Sequence, residues 1–312
     1  MIVRRAASAG AGGPIGLELE DAGAIRARCA LYVARDLVGA PGRSGLVGRW
    51  EAADVAAGRH LLEEACRHFA PHGVERVLGP MNGDTWHAYR LVLPPGEQPE
   101  PPGGLVVPPF PGEPSNAPDA ADAWRAAGFE VVARYESAIV LDLAAAAGDA
   151  GAEPAGVRFR TLDPVRFEDE LARLHATSLR GFAANPYYAP IDRAGFVALN
   201  APLRPLVDPR FVEFAEDADG TTLAFLFCFP LPAGETAGGR PRLVAKTIAV
   251  VPEARGRHLG ALLFARAHAR ALELGFGGVI HALMHADNAS TRMSAREQAR
   301  VFRRYALFGR TA

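Results

Sequence analysis

Residues 242–264 read RLVAKTIAVVPEARGRHLGALLF. The β-branched run from Leu243 to Val251 makes a strand, and Pro252 ends it. A short basic segment follows, Arg255-Gly256-Arg257-His258-Leu259-Gly260. Leu259, Leu262, Leu263 and Ala267 then recur at helical spacing, so a helix starts at once. A strand leading through a small basic turn into a helix is built to hold phosphates. The first helical N–H groups lack intrahelical partners, the helix dipole favours an anion, and glycine lets it approach the backbone. The spacing is not Gly-x-x-x-x-Gly-Lys-Ser/Thr, nor Gly-x-Gly-x-x-Gly with an acidic residue about twenty positions on, so neither a P-loop nor a dinucleotide fold is supported. A basic, solvated helix start is the plainer alternative.

The bulk numbers set the frame. For 312 residues, two domains of ~150 residues are expected. Apolar residues make up 49% and charged residues 22%, as in a soluble globular protein. A net charge of −1 gives no reason to expect nucleic acid or an anionic membrane. Cys29, Cys66 and Cys228 form no metal or redox spacing, and they read as small core residues in a reducing compartment. No apolar run reaches the ~20 residues that span a bilayer. Cytoplasmic is the expected location, and the sequence is silent on oligomeric state.

Ten of the 25 prolines fall within residues 94–118, which read as a loop. Residues 144–156, AAAAGDAGAEPAG, read as an interdomain linker and place a boundary near residue 150. The second half alternates strands and helices: strand 157–161, helices 164–179 and 192–200, strands 211–216, 222–229 and 243–251, helix 259–274, strand 278–284, helix 288–298 and strand 300–308. The first half repeats part of this, with strand 46–50, helix 55–70 and strand 76–78. Gly79-Pro-Met-Asn82 onward then stands where Asp287-Asn288 stands later. In place of the basic turn the first half has Arg49-Trp-Glu-Ala-Ala-Asp54, whose acidic residues repel phosphate.

The turn at 255–260 resembles the Arg/Gln-x-x-Gly-x-Gly/Ala turn of GNAT-type N-acetyltransferases. Arg255 and Gly260 match its outer positions, and His258 stands where the family usually has glycine. The order of elements in the second half is also that of the GNAT fold. Over nearly its whole length the chain looks like a tandem GNAT protein. Leu78-Gly-Pro-Met-Asn82, Lys246-Thr247, His281-Ala-Leu-Met284, Asn288-x-Ser290 and Arg303-Arg304-Tyr305-Ala-Leu307 resemble a bacterial subgroup of such proteins. The resemblance implies an α/β fold of two GNAT-like, mixed, mostly antiparallel sheets flanked by helices. Residues 1–150 would be a degenerate copy and 151–312 the cofactor-binding copy.

It also implies acetyl-CoA, or another acyl-CoA, as cofactor and a small-molecule acceptor. Backbone groups of Ile248, Ala249 and Val250 would hold the thioester and pantetheine. Arg255, Gly256, Arg257, His258, Leu259 and Gly260 would hold the pyrophosphate, and Asn288 and Ser290 would reach the rest of CoA. The family's usual glutamate base is replaced by Lys246, and its usual tyrosine acid by Ala295. A lysine is no base unless burial lowers its pKa; otherwise it suits an acceptor carboxylate. His281, in an apolar strand, is the expected base, and Tyr305 or Ser294 the expected acid. Each also reads as an ordinary core residue. Phe182, Tyr187, Tyr188 and Phe196, with Asn82 and Trp86 from the first half, are expected around the acceptor. His281 and His285 on one strand lack helical ligand geometry, so no metal is expected. Two other functions stay open: a CoA-binding scaffold without catalysis, and transfer of a longer acyl chain from CoA or a carrier protein.

Overall fold

The computed structural model describes residues 2–6, 13–40, 42–148, 153–233 and 239–312. The first half contains β1 (Ile2–Ala6), β2 (Ile15–Asp21), β3 (Ala24–Arg35), β4 (Ser44–Ala52), α1 (Val55–Phe69), β5 (Arg76–Gly79), β6 (Leu91–Val92), α2 (Ala120–Ala126), β7 (Glu130–Val140) and α3 (Leu143–Gly148). The second contains β8 (Arg158–Thr161), α4 (Phe167–Phe182), α5 (Arg193–Asn200), β9 (Val212–Glu216), β10 (Thr222–Leu231), β11 (Arg242–Val250), α6 (Leu259–Glu273), β12 (Val279–His285), α7 (Ala289–Arg296) and β13 (Arg300–Thr311).

The described strands form one 13-stranded sheet in the order β1-β2-β3-β4-β5-β13-β7-β12-β11-β10-β9-β8, with β6 paired to β13. Each half thus contributes a mostly antiparallel sheet, and the two fuse edge to edge. They fuse by exchange. β7 from the first half pairs with β12 of the second, and β13 pairs with β5 of the first. The two parallel pairs, β4–β5 and β11–β12, are each bridged by a helix, α1 or α6.

The helices bury one stripe each. Leu61, Leu62, Ala65 and Phe69 of α1 pack with Trp124 of α2 over the first half. Leu259, Leu262, Leu263 and Ala267 of α6 pack over the second, as their spacing predicts. Residues 144–148 are helix rather than linker, because Leu143 and Ala146 of α3 bury against the α6 core. Residues 149–152, and with them the expected boundary near 150, lie outside the described residues. The Pro-rich loop is packed down. Val107 and Phe110 join a cluster with Val244, Ile280 and Phe302. Cys29 and Cys228 are buried and Cys66 half-buried, all as free thiols. Among the described residues no helix is long and apolar enough to cross a membrane.

Candidate functional site

The parallel pair β11–β12 holds register only over Leu243–Ala245 and Val279–His281. Both strands break their ladders at that level. β11 bulges at Lys246, where the pairing with β10 slips between Phe227 and Cys228. β12 slips against β7 between His281 and Met284, and Leu283 there has φ +58°. A bulge bends its strand and raises its twist, so two bulges at one level drive the pair apart. Beyond them Ile248, Ala249 and Val250 pair with β10 on one edge, and the other edge has no strand partner among the described residues.

The start of α6 stands beside this divergence. Its N-cap, His258, has φ +60° and makes no side-chain cap bond. Gly256, at φ +83°, has open space where a side chain would point. Arg257 is half-buried, and Arg255 donates to the Gly181 carbonyl at 3.2 Å. Leu259 is buried in the core. Gly260 is buried too; a Cβ there would meet Met293 of α7 and Ile248 at 3.2–3.4 Å, so this glycine serves helix packing. Asn288 takes the N-cap position of α7 but makes no side-chain cap bond, and Ser290 is half-buried close by.

Lys246 sits at the β11 bulge, and its Nζ donates to the Gly112 carbonyl at 3.2 Å. The side chain is half-buried, and Nζ lies beside the Pro-rich loop, 6.0 Å from the Phe110 ring. Desolvation pushes its pKa down to about 7; the Arg90 cation adds to the fall and Glu113 opposes it. Glu113 accepts from Arg303 at 2.6 Å and from the Tyr305 hydroxyl. Tyr305 therefore takes its other bond, 2.9 Å long, from the Ser137 hydroxyl, and Ser137 accepts from the Leu283 amide at 3.0 Å. Burial and the adjacent Glu113 carboxylate raise the Tyr305 pKa. This fully buried tyrosine is an anchor in a chain of hydrogen bonds.

Arg90 completes the surroundings. It is 8% exposed and lies between the rings of Tyr89 and Tyr135, 3.7 and 4.2 Å from their centroids. It donates to the Leu283 carbonyl at 3.0 Å, and its Nε is buried without a hydrogen-bond partner. No salt bridge reaches it among the described residues. Arg90 and Glu113 come from first-half loops without a motif, so only tertiary structure shows that they belong here.

His281 is placed differently from expectation. It is 1% exposed and faces α6 and α7, with the Phe264 ring 4.4 Å away. Its Nδ1 is 3.0 Å from Ser294 Oγ, and its Nε2 is 3.2 Å from His268 Nε2. Burial and then the neighbouring His268 hold its pKa well below the ordinary histidine value. A sealed imidazole cannot reach an acceptor, and Ser294, 3% exposed, is sealed with it. The expected aromatic lining is also packed on itself. Trp86 contacts Phe182, Tyr188 and Phe196 at centroid distances of 5.7–6.2 Å and donates to the Ala189 carbonyl. Tyr187, with φ +62°, pairs its amide with Val38 of the first half. These residues bind the two halves together.

The equivalent cleft in the first half is closed. β4 and β5 are parallel over Ser44–Leu46 and Arg76–Leu78, and β4 also slips against β3 at Arg49, where φ is +46°. Here the Met81 amide reaches the Val47 carbonyl at 2.9 Å, and Asn82 Oδ1 accepts from the Arg49 amide at 2.6 Å. Asn82 is thus a stitch across the first-half cleft. The α1 start is filled as well. Asp54 accepts from the Ala57 amide at 2.8 Å and pairs with Arg26 at 2.5 Å.

No protein-family model matches the chain, and no curated protein matches it by sequence. Solved structures do match in fold. A tandem GNAT protein from the clavulanic acid biosynthesis pathway aligns over 96% of this chain and 83% of its own, at 16% identity and a TM-score of 0.52. A GCN5-related N-acetyltransferase from Sphaerobacter thermophilus aligns over 96% and 80%, at 14% identity and a TM-score of 0.51. Another, from Anabaena variabilis, aligns over 95% and 62%, at 12% identity and a TM-score of 0.51. At such identities the likeness is one of architecture: the chain has a mixed α/β fold, a large sheet flanked by helices, of the GNAT kind.

Proposed function

We propose that the chain is an acyl-CoA-dependent N-acyltransferase acting on a small-molecule acceptor, with its cofactor in the second half. One observation carries this reading: β11 and β12 diverge at paired bulges directly beside an uncapped helix start flanked by Arg255 and Arg257. The open direction at Gly256 and the unfilled edge of Ile248–Val250 fit a phosphate and a pantetheine arm respectively. Bound there, acyl-CoA would supply a thioester carbonyl to an incoming amine.

In this reading Lys246 handles protons. With a pKa near 7, much of its Nζ is uncharged at neutral pH and can accept a proton from an ammonium acceptor. The Glu113–Tyr305–Ser137 chain holds the loop carbonyl of Gly112 over Nζ. Arg90 is a buried cation with no counter-charge in hydrogen-bond range among the described residues. It suits an acceptor that also carries a carboxylate or phosphate.

Calorimetry with CoA and acetyl-CoA, followed by thiol release across a panel of amino acids and neutral amines, tests the reading. Binding with turnover of anionic amines is expected. Absence of CoA binding overturns the proposal. Binding without thiol release from any amine favours the scaffold reading, which the loss of a glutamate at 246 and a tyrosine at 295 already motivates.

A further inference from the structure

Behind the cleft lies a second polar cluster that the acyl-transfer chemistry does not use. His268 projects from α6, His281 from β12, and Glu297 follows the end of α7. The two histidines are 0% and 1% exposed, and the Glu297 side chain is 7% exposed. Three ligand atoms converge. His268 Nε2 and His281 Nε2 are 3.2 Å apart, and Glu297 Oε2 is 3.7 and 3.5 Å from them.

We propose that His268, His281 and Glu297 form a buried divalent metal site that takes zinc. Metal–ligand bonds of ~2.1 Å at tetrahedral angles separate neighbouring ligand atoms by about 3.4 Å. The three separations here bracket that value, so an ion fits among the atoms without moving the elements that carry them. Two imidazoles and a carboxylate are a donor set that zinc accepts, and three protein ligands leave a fourth position for water.

The surroundings support the ligand assignment. Ser294 Oγ is 3.0 Å from His281 Nδ1, and in the tautomer that donates from Nδ1 to this hydroxyl Nε2 is free to bind. Ring partners of this type orient histidine ligands. The three ligands come from three elements, so the ion is a clip. It ties the end of α7 to α6 and β12. α7 follows its N-cap Asn288 and packs Met293 on Gly260, so the clip sets the wall of the cleft from behind.

The test uses the full-length, tag-free chain prepared without chelator. Elemental analysis should find about one zinc per chain. After removal of metal with dipicolinate, the melting temperature should fall, and added zinc should restore it. Titration of that apo-protein with Co²⁺ should give the strong visible bands of a four-coordinate ion. His268→Gln and Glu297→Gln should each weaken Co²⁺ binding by at least ~100-fold. Ser294→Ala, which keeps all three ligands, should fold and weaken it by about 10-fold. Wild-type protein that takes up neither zinc nor cobalt at micromolar concentration, with a melting temperature indifferent to both metal and chelator, overturns the proposal. So does equal Co²⁺ affinity in folded His268→Gln. Neither readout depends on acyl transfer.

Discussion

The chain builds the same strand–bulge–helix–strand unit twice and finishes the two in opposite ways. At α1 the carboxylate of Asp54 fills the helix start, and Asn82 stitches β4 to the segment after β5. At α6 the cap residue is His258, whose side chain makes no cap bond, and β11 and β12 part. A helix N-terminus attracts anions only while the protein leaves it unfilled; an aspartate at the cap already supplies the anion. Backbone geometry is thus shared, and side chains at a handful of positions decide which unit is open.

The largest expected effect separates the two bulges. Lys246→Gln should lower turnover by ~10²–10⁴-fold with little change in CoA affinity, whereas Arg49→Gln at the matching bulge should leave turnover unchanged. Because the pKa of Lys246 is lowered to about 7, the wild-type rate should climb as pH rises through 7, and the variant should lose that limb. Equal losses from both substitutions would break the comparison.

Arg257→Glu should weaken CoA binding by about 10- to 100-fold, the value of one or two charge-assisted hydrogen bonds, measured by calorimetry. Glu51→Arg in the first half should not create a second binding site, since Asn82 keeps that cleft shut.

Asp54→Ala should cost about 1 kcal/mol in denaturant unfolding through loss of the α1 cap. Combining it with Asn82→Ala sharpens the comparison: weak anion binding at α1 in the double variant alone would show that both side chains guard the cleft.

The smallest effect belongs to His258→Gly. Glycine relieves an L-residue held at φ +60° but loses more freedom on folding, so stability should rise by no more than about 1 kcal/mol while CoA affinity holds.

Local pattern carried much of this. The run from Leu243 to Ala267 reads as strand, basic turn and helix, and the structure places β11 and α6 within a residue or two of those limits. The β2–β3 hairpin also had a signal, in the alternation of Leu17 and Leu19 with charged residues and the Ala22-Gly23 turn. What no local pattern holds is pairing at a distance. Nothing near His281 announces His268 and Glu297, and an apolar strand reads alike whether its histidine faces a cleft or a helix. Lys246 reads as a cation from its type; its lowered pKa comes from a loop more than a hundred residues earlier. Arg90 and Glu113 share no spacing with the groups they meet.

The exchange of β7 and β13 has a consequence for biosynthesis. β5, at residues 76–79, pairs with β4 on one edge and finds the partner for its other edge only at residues 308–311. The first half therefore cannot complete its sheet while the ribosome is still making the second, and contacts of such long range are formed late and slowly. Neither half, cut free, would keep a full set of strand neighbours. Two co-expressed fragments divided in the 149–152 segment should instead find each other, each donating the strand the other lacks. The two similar units here share one continuous sheet.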